Sequence, residues 1–282
     1  MNEKNKNLIL RIASSVVLLP TVLVLVAWGG YWTGGLLAVA AAICASEYYL
    51  ITQKKLTPAA WVGVVMTGAM PLFPVWAAGS HRVPEHAGDI CFWWVAGFFT
   101  FAWAYHLIRG PLHEAPQIIS HLVTGMLYGA LGLTAVSELR GREDGVKWIV
   151  VALIITWAND TLAYFAGRFL GRHKLYPEVS PNKTWEGFAG GIVGSVGGLF
   201  FYRAFFPTPL TVLDCVLVGL AGAIIGPIGD LCESMLKRAY GVKDSGKIIP
   251  GHGGLLDRID ALVFNAPVVF LYVHFLRGML GS

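Results

Sequence analysis

The chain has 282 residues, of which 55% are hydrophobic and only 13% charged, against about 25% charged in an ordinary soluble domain. With a mean hydropathy of +0.61, a soluble fold of this length has no way to hide its apolar surface, so the bilayer is the expected solvent. The net charge of +4 is modest; its distribution matters more than its size, and no nucleic-acid partner is expected.

Apolar runs of about 20 residues, enough to cross ~30 Å of hydrocarbon, occur nine times. They cover about 8–28, 31–51, 59–79, 90–108, 118–138, 147–169, 186–206, 210–236 and 256–276. The expected fold is therefore all-α: a polytopic integral membrane protein of about nine transmembrane helices. The first run has too long an apolar core for a cleaved signal peptide, and no small-residue cleavage site separates it from the second. Cys44, Cys91, Cys215 and Cys232 stand singly in apolar runs without a CxxC pair. They read as buried thiols rather than a disulfide framework or a zinc site.

With the N-terminus inside, the inner loops and span ends carry fourteen Lys and Arg against six outside. That bias puts the segments 172–183 and 240–252 in the cytoplasm and the C-terminus on the far side. Residues 1–145 hold few polar groups within spans, Glu47 near a span end being the main exception, whereas 146–262 carry many at membrane edges. We read 1–145 as N-terminal transmembrane helices, serving lipid access or dimer contacts, and 146–282 as a C-terminal catalytic transmembrane region.

Four constellations carry chemistry. In Asn159-Asp160, the carboxylate lies well inside an apolar span. It needs a partner, water or a cation there, so Asp160 reads as lining a polar cavity, with a helix–helix contact as the alternative. The segment from Arg172 through Ser180, Lys183, Thr184 and Glu186 gathers cations before a helix start. Ser180 or Thr184 can cap that helix and Glu186 suits its positive end. Phosphate binding at backbone N–H groups is the competing reading.

On a helix, Asp230, Glu233, Ser234 and Lys237 share one face, at i, i+3, i+4 and i+7. Two carboxylates one turn apart call for a nearby cation, and carboxylate oxygens suit Mg2+ when substrate phosphates supply other ligands. Last come Lys243-Asp244, then Gly251-His252-Gly253-Gly254 and Asp257-Arg258-Ile259-Asp260. The glycines let a phosphate approach the backbone. Arg258 offers a fork of donors, and Asp257 and Asp260 lie one turn apart at the next helix start. The sum is a basic, glycine-rich loop between two acidic helix ends, a site for metal-assisted phosphoryl or nucleotidyl transfer. Residue chemistry alone names neither lipid nor nucleotide.

The stretch Ser234-Met235-Leu236-Lys237-Arg238, then Lys243-Asp244, then His252 through Asp260 resembles the signature of the phosphatidate cytidylyltransferase family, with no departure at its fixed positions. Asn159-Asp160, Gly167-Arg168, Ser180 through Thr184 and Glu186-Gly187 are also similar to that family, so the resemblance is specific over about 150–265. It implies the reaction CTP + phosphatidate → CDP-diacylglycerol + pyrophosphate, dependence on Mg2+, and a homodimer among membrane lipids. Any second cation stays open.

Carried onto this chain, Asp230 and Asp257 are the leading metal ligands, with Glu233 and Asp260 as ligands or supports. Lys237, Arg238, Lys243 and Arg258 hold phosphates, with Lys183 as a further candidate. Asp160, Ser180, Thr184, Ser234, Asp244, Gly253 and Gly254 complete the substrate-binding set. His252 shapes the loop or touches phosphate, an acid role being the alternative. The expected location is a bacterial inner (plasma) membrane with the site facing the cytoplasm. A CTP-using polyprenol kinase is the competing enzyme and a transporter the competing non-enzyme. The CDP-alcohol phosphotransferase pattern, DxxDG then GxxxDxxxD, is absent.

Overall fold

The computed structural model describes residues 16–18, 20–79, 87–251 and 253–277. In chain order the elements are a short apolar helix α1 (Val16–Trp28), α2 (Gly30–Gln53), α3 (Pro58–Ala69), α4 (Leu72–Gly79), α5 (Ala87–Arg109), α6 (Ala115–Arg140) and α7 (Gly145–Leu170). Then follow a hairpin of β1 (Lys174–Tyr176) and β2 (Ser180–Thr184), α8 (Trp185–Phe205), α9 (Val212–Ala239) and α10 (Leu256–Leu271), which runs on as a π-turn, Tyr272–Leu276. Seven helices among the described residues are long and apolar enough to cross a membrane: α2, Asp89–Arg109 within α5, α6, α7, α8, α9 and Leu256–Leu276. The chain is a polytopic, all-α membrane protein, with one small hairpin among the described residues.

One of the nine expected spans differs, and another is only partly described. The run at 8–28 lies partly outside the described residues, and its described part, α1, is shorter than a span. The run at 59–79 is two helices, because Pro71 and Pro74 each remove a backbone N–H from the ladder. Met70 N turns instead to Thr67 O, and Phe73 N to Met70 O. Neighbours take up carbonyls around the break: Trp94 Nε1 donates to Met66 O at 2.9 Å and Ser137 Oγ to Pro71 O at 2.7 Å.

The chain forms two compact units. The first holds the described residues up to Gly141 together with Val242–Arg258. The loop Val242–Arg258, read from the sequence as part of the C-terminal region, belongs to this unit. Within it α2 packs on α6: Tyr49 Oη donates to Leu122 O at 2.8 Å in a fully buried contact. Arg140 closes the C-terminal end of α1 by donating to Val26 O at 2.8 Å and Ala27 O at 3.1 Å. A cation is favoured at that negative helix end.

The second unit holds Arg142–Gly241 and the described residues from Ile259. Here α8 lies against α7 through small residues. A Cβ on Gly187 would come 2.9 Å from Ala163 O, and one on Gly190 2.9 Å from Leu162 O. Such small-residue faces let membrane helices approach closely. Pro227 sits inside α9 without ending it. Its missing N–H leaves Ala223 O without a helical donor, and Asn159 Nδ2 of α7 donates there at 3.4 Å.

Candidate active site

In the second unit, α7, the hairpin, the start of α8 and the middle of α9 enclose a cavity of about 620 Å3. Asp160 enters it from α7, Ser180, Lys183 and Thr184 from β2, and Pro227 and Asp230 from α9. The close α7–α8 packing explains the placement, since it folds the hairpin back over the end of α7. The structure thus brings together groups that stand 70 positions apart in the sequence, from Asp160 to Asp230.

Lys183 is the hinge of this arrangement. Its Nζ lies 2.6 Å from Asp230 Oδ2 and donates to Pro227 O at 3.4 Å. Asp160, Asp230 and Asp260 lie near enough to feel one another's charge, with Lys183 and Lys237 as opposing cations. Three like charges near one another repel, so the cluster favours positive charge beside it, as Lys183 and Lys237 supply.

The expected helix stripe on α9 forms. Ser234 Oγ donates to Asp230 Oδ1 at 3.4 Å, and Lys237 Nζ lies 2.5 Å from Glu233 Oε2, with the Glu233 side chain buried. Arg238 is exposed. The carboxylates one turn apart therefore each meet a lysine, Lys183 for Asp230 and Lys237 for Glu233.

The segment before α8 is a hairpin rather than an open loop, with Lys174 opposite Thr184 and Tyr176 opposite Ser180. Thr184 is the N-cap of α8, its Oγ1 accepting from Gly187 N at 3.1 Å. Glu186 does something the sequence did not reveal. It accepts from Arg172 N at 3.1 Å and His173 N at 3.3 Å, and its Oε1 lies 2.6 Å from His173 Nδ1. Those backbone donors are thus engaged by protein. The cations facing the cavity are Arg168, Lys174 and Lys183; Arg172, read from the sequence as part of the same basic segment as Lys183, does not line it.

In the first unit the glycine-rich loop is organised by carboxylates. Asp257 Oδ2 accepts from Ser245 N and Ser245 Oγ, both at 2.9 Å, and from Gly254 N at 3.0 Å. Gly253 has φ +90°, a conformation that favours glycine, and Ile249 N donates to its carbonyl at 3.0 Å. Lys243, Asp244 and Arg258 are exposed. His252 lies outside the described residues. Glu47, noted in the sequence only as an isolated polar group, is buried on α2 and accepts from Leu255 N, Leu256 N and Ser245 Oγ. A lone carboxylate in an apolar run was the available signal; its partners were not readable.

Among the described residues no group of three or more His, Cys, Asp or Glu stands ready to hold a metal ion alone. Mg2+ does not ask for one, since it is commonly bound by one or two carboxylates with substrate phosphates and water. Asp160 and Asp230, which both face the cavity, can supply that number. A cation on Asp257 Oδ2 would compete with three hydrogen-bond donors.

The chain is 48% identical over 136 residues to a phosphatidate cytidylyltransferase of Bacillus subtilis, covering 48% of this chain and 50% of that protein. It is 45% identical over 128 residues to one of Staphylococcus epidermidis, covering 45% and 49%. With one of Brucella abortus it shares 42% over 153 residues, covering 52% and 55%. The chain spans about half the length of the curated relatives it matches. The model of the Cytidylyltransferase family matches over residues 9–276, nearly the whole chain, which therefore belongs to that family.

Proposed function

We propose that the chain transfers the cytidylyl group of CTP to phosphatidate, giving CDP-diacylglycerol and pyrophosphate. The observation that carries this reading is the cavity in which Asp160 and Asp230, on membrane helices, meet Lys183. Charged groups in apolar helices are expensive and generally functional, and this mixture of signs suits a polyanionic substrate with a divalent cation. The names of the relatives support the same substrates.

The lipid phosphate is already an oxyanion and needs no general base. One of its oxygens forms a bond to the α-phosphorus of CTP. The bond from that phosphorus to the oxygen bridging to the β-phosphate breaks in line, and its electron pair leaves with pyrophosphate. Lys183, Lys237, Arg238, Lys243 and Arg258 hold phosphate oxygens and oppose the charge that builds on them. Ser180, Ser234 and the backbone at Gly253 and Gly254 orient the substrates. When bound, Mg2+ would neutralise phosphate charge, with Asp230 as its first ligand and Asp257, Asp260 and Glu233 as further candidates.

The proposal includes a homodimer in a bacterial inner membrane with the reaction on the cytoplasmic face. The basic residues around 168–183 and 237–247 support that orientation. Reporter fusions between 172 and 183 are expected to give a cytoplasmic signal; a periplasmic one reverses the topology. The activity is tested with the full chain in detergent, labelled CTP and phosphatidate. A cytidine-bearing lipid and pyrophosphate are expected, and only with a divalent cation. CDP with a phosphorylated lipid would make the chain a kinase instead, and an unlabelled lipid fraction would overturn the reading.

A further inference from the structure

Glu47 is a carboxylate within a membrane helix that the proposed reaction does not use. It is 1% exposed, so its position has to be justified by partners. Its Oε1 accepts from Leu255 N at 3.0 Å, and its Oε2 from Leu256 N at 2.9 Å and Ser245 Oγ at 3.0 Å. These partners lie 198 to 209 positions further along the chain. Leu255 precedes α10 and Leu256 opens it, where backbone N–H groups have no partner inside the helix. Glu47 therefore caps α10 from another element, and the helix dipole favours its charge there.

Ser245 links this cap to a second carboxylate. Its Oγ lies 3.0 Å from Glu47 Oε2 and 2.9 Å from Asp257 Oδ2. A hydroxyl has one proton, so it donates to one of the two at a time, while Ser245 N and Gly254 N hold Asp257 independently. The loop is shaped around Glu47: a Cβ on Gly246 would collide with Oε1 and come 2.8 Å from Cδ, and one on Gly254 would come 2.6 Å from Oε2. Donors converge on Glu47 from three residues of one loop, which is more than packing a helix requires.

We propose that Glu47 is a positioning residue that fixes the shape of the loop from Lys243 to Asp257, and with it the placement of Lys243, Asp244 and Asp257. Its effect on turnover rests on the cytidylyltransferase reading; its effect on the loop does not. The test uses the full chain and two variants. Glu47→Gln keeps the size but turns an amide donor toward N–H donors. It is expected to speed hydrogen exchange at the Leu255 and Leu256 amides by about tenfold or more, the scale of one lost hydrogen bond to a charged group. Turnover should fall roughly 100-fold, the scale of a ~1 Å misplacement. Ser245→Ala should act in the same direction. The double variant should lose no more than the worse single one, because both remove a shared network.

Unchanged exchange at Leu255 and Leu256 in Glu47→Gln overturns the proposal, as does turnover losses that simply multiply in the double variant. If Glu47→Gln does not fold, Ser245→Ala decides: wild-type exchange across 243–257 then overturns it. Exchange needs no substrate, so a wild-type chain that makes no CDP-diacylglycerol would sink the activity reading and leave the role of Glu47 still under test.

Discussion

Asp230→Asn is expected to lower CDP-diacylglycerol formation by about 1000-fold, the upper range for removing one preorganised electrostatic group, while the protein stays folded. The substitution keeps the shape of the side chain and removes its charge. Asp230 faces the cavity, holds Lys183 at 2.6 Å and receives Ser234 Oγ at 3.4 Å. As an ion pair it adds little to stability, because the two side chains are only partly buried, 23% and 35% exposed, and a pair that water still reaches contributes on the order of 1 kcal/mol. A loss of that size moves the melting temperature by a few degrees at most, roughly 2–4 °C per kcal/mol at this chain length. The two measurements should therefore separate: turnover collapses while thermal unfolding in detergent barely shifts. Turnover near wild type would remove Asp230 from the machinery. A large fall in melting temperature with proportionate loss of activity would make it a structural residue.

Much of this could be read in advance, and the exceptions have physical causes. The helices α2, α5 to α9 and Leu256–Leu276 follow from apolar length alone, since the bilayer sets a minimum that few other segments meet. The run at 59–79 has that length too, but length says nothing about Pro71 and Pro74, three positions apart. Pro227 shows the contrast. One proline inside α9 is tolerated because Asn159 donates to the carbonyl it frees, a compensation that exists only once α7 and α9 are packed.

The site divides in the same way. Asp160 was legible because charge in an apolar span needs a reason, Lys183 because cations gather before a helix start, and Asp230 because it heads a polar helix stripe; the structure puts all three in one cavity. The same argument applied to Glu47, yet its partners Ser245, Leu255 and Leu256 come from the far end of the chain. No local spacing could join them. Asp257 reads from its motif as a metal ligand, whereas the geometry gives its Oδ2 three loop donors. Motif spacing identifies that a carboxylate matters without distinguishing what it holds.

Gly254→Ala is the second substitution expected to have a large effect, and neighbouring glycines grade it. A Cβ at 254 would collide with Ser245 Oγ and come 2.6 Å from Glu47 Oε2 and 2.7 Å from Gly246 N. The side chains can turn aside only by breaking the network around Ser245, and the backbone nitrogen cannot turn aside at all. Overpacking of this kind typically destabilises by about 1–3 kcal/mol, here concentrated in the loop, and turnover should fall roughly 100-fold as its groups are displaced. At Gly246 the three atoms nearest a new methyl all belong to the Glu47 side chain, which can shift while keeping part of its hydrogen bonding to the loop, as the backbone nitrogen met at 254 cannot, so Gly246→Ala should be milder. At Gly197, on α8, nothing lies within 4 Å, and Gly197→Ala should be silent. Since Gly254 needs no positive φ, the contrast is steric rather than conformational. Steady-state rates of the three variants test the order 254, 246, 197. A Gly254→Ala enzyme as fast as wild type would mean that the loop does not need the shape that Glu47, Ser245 and Asp257 give it.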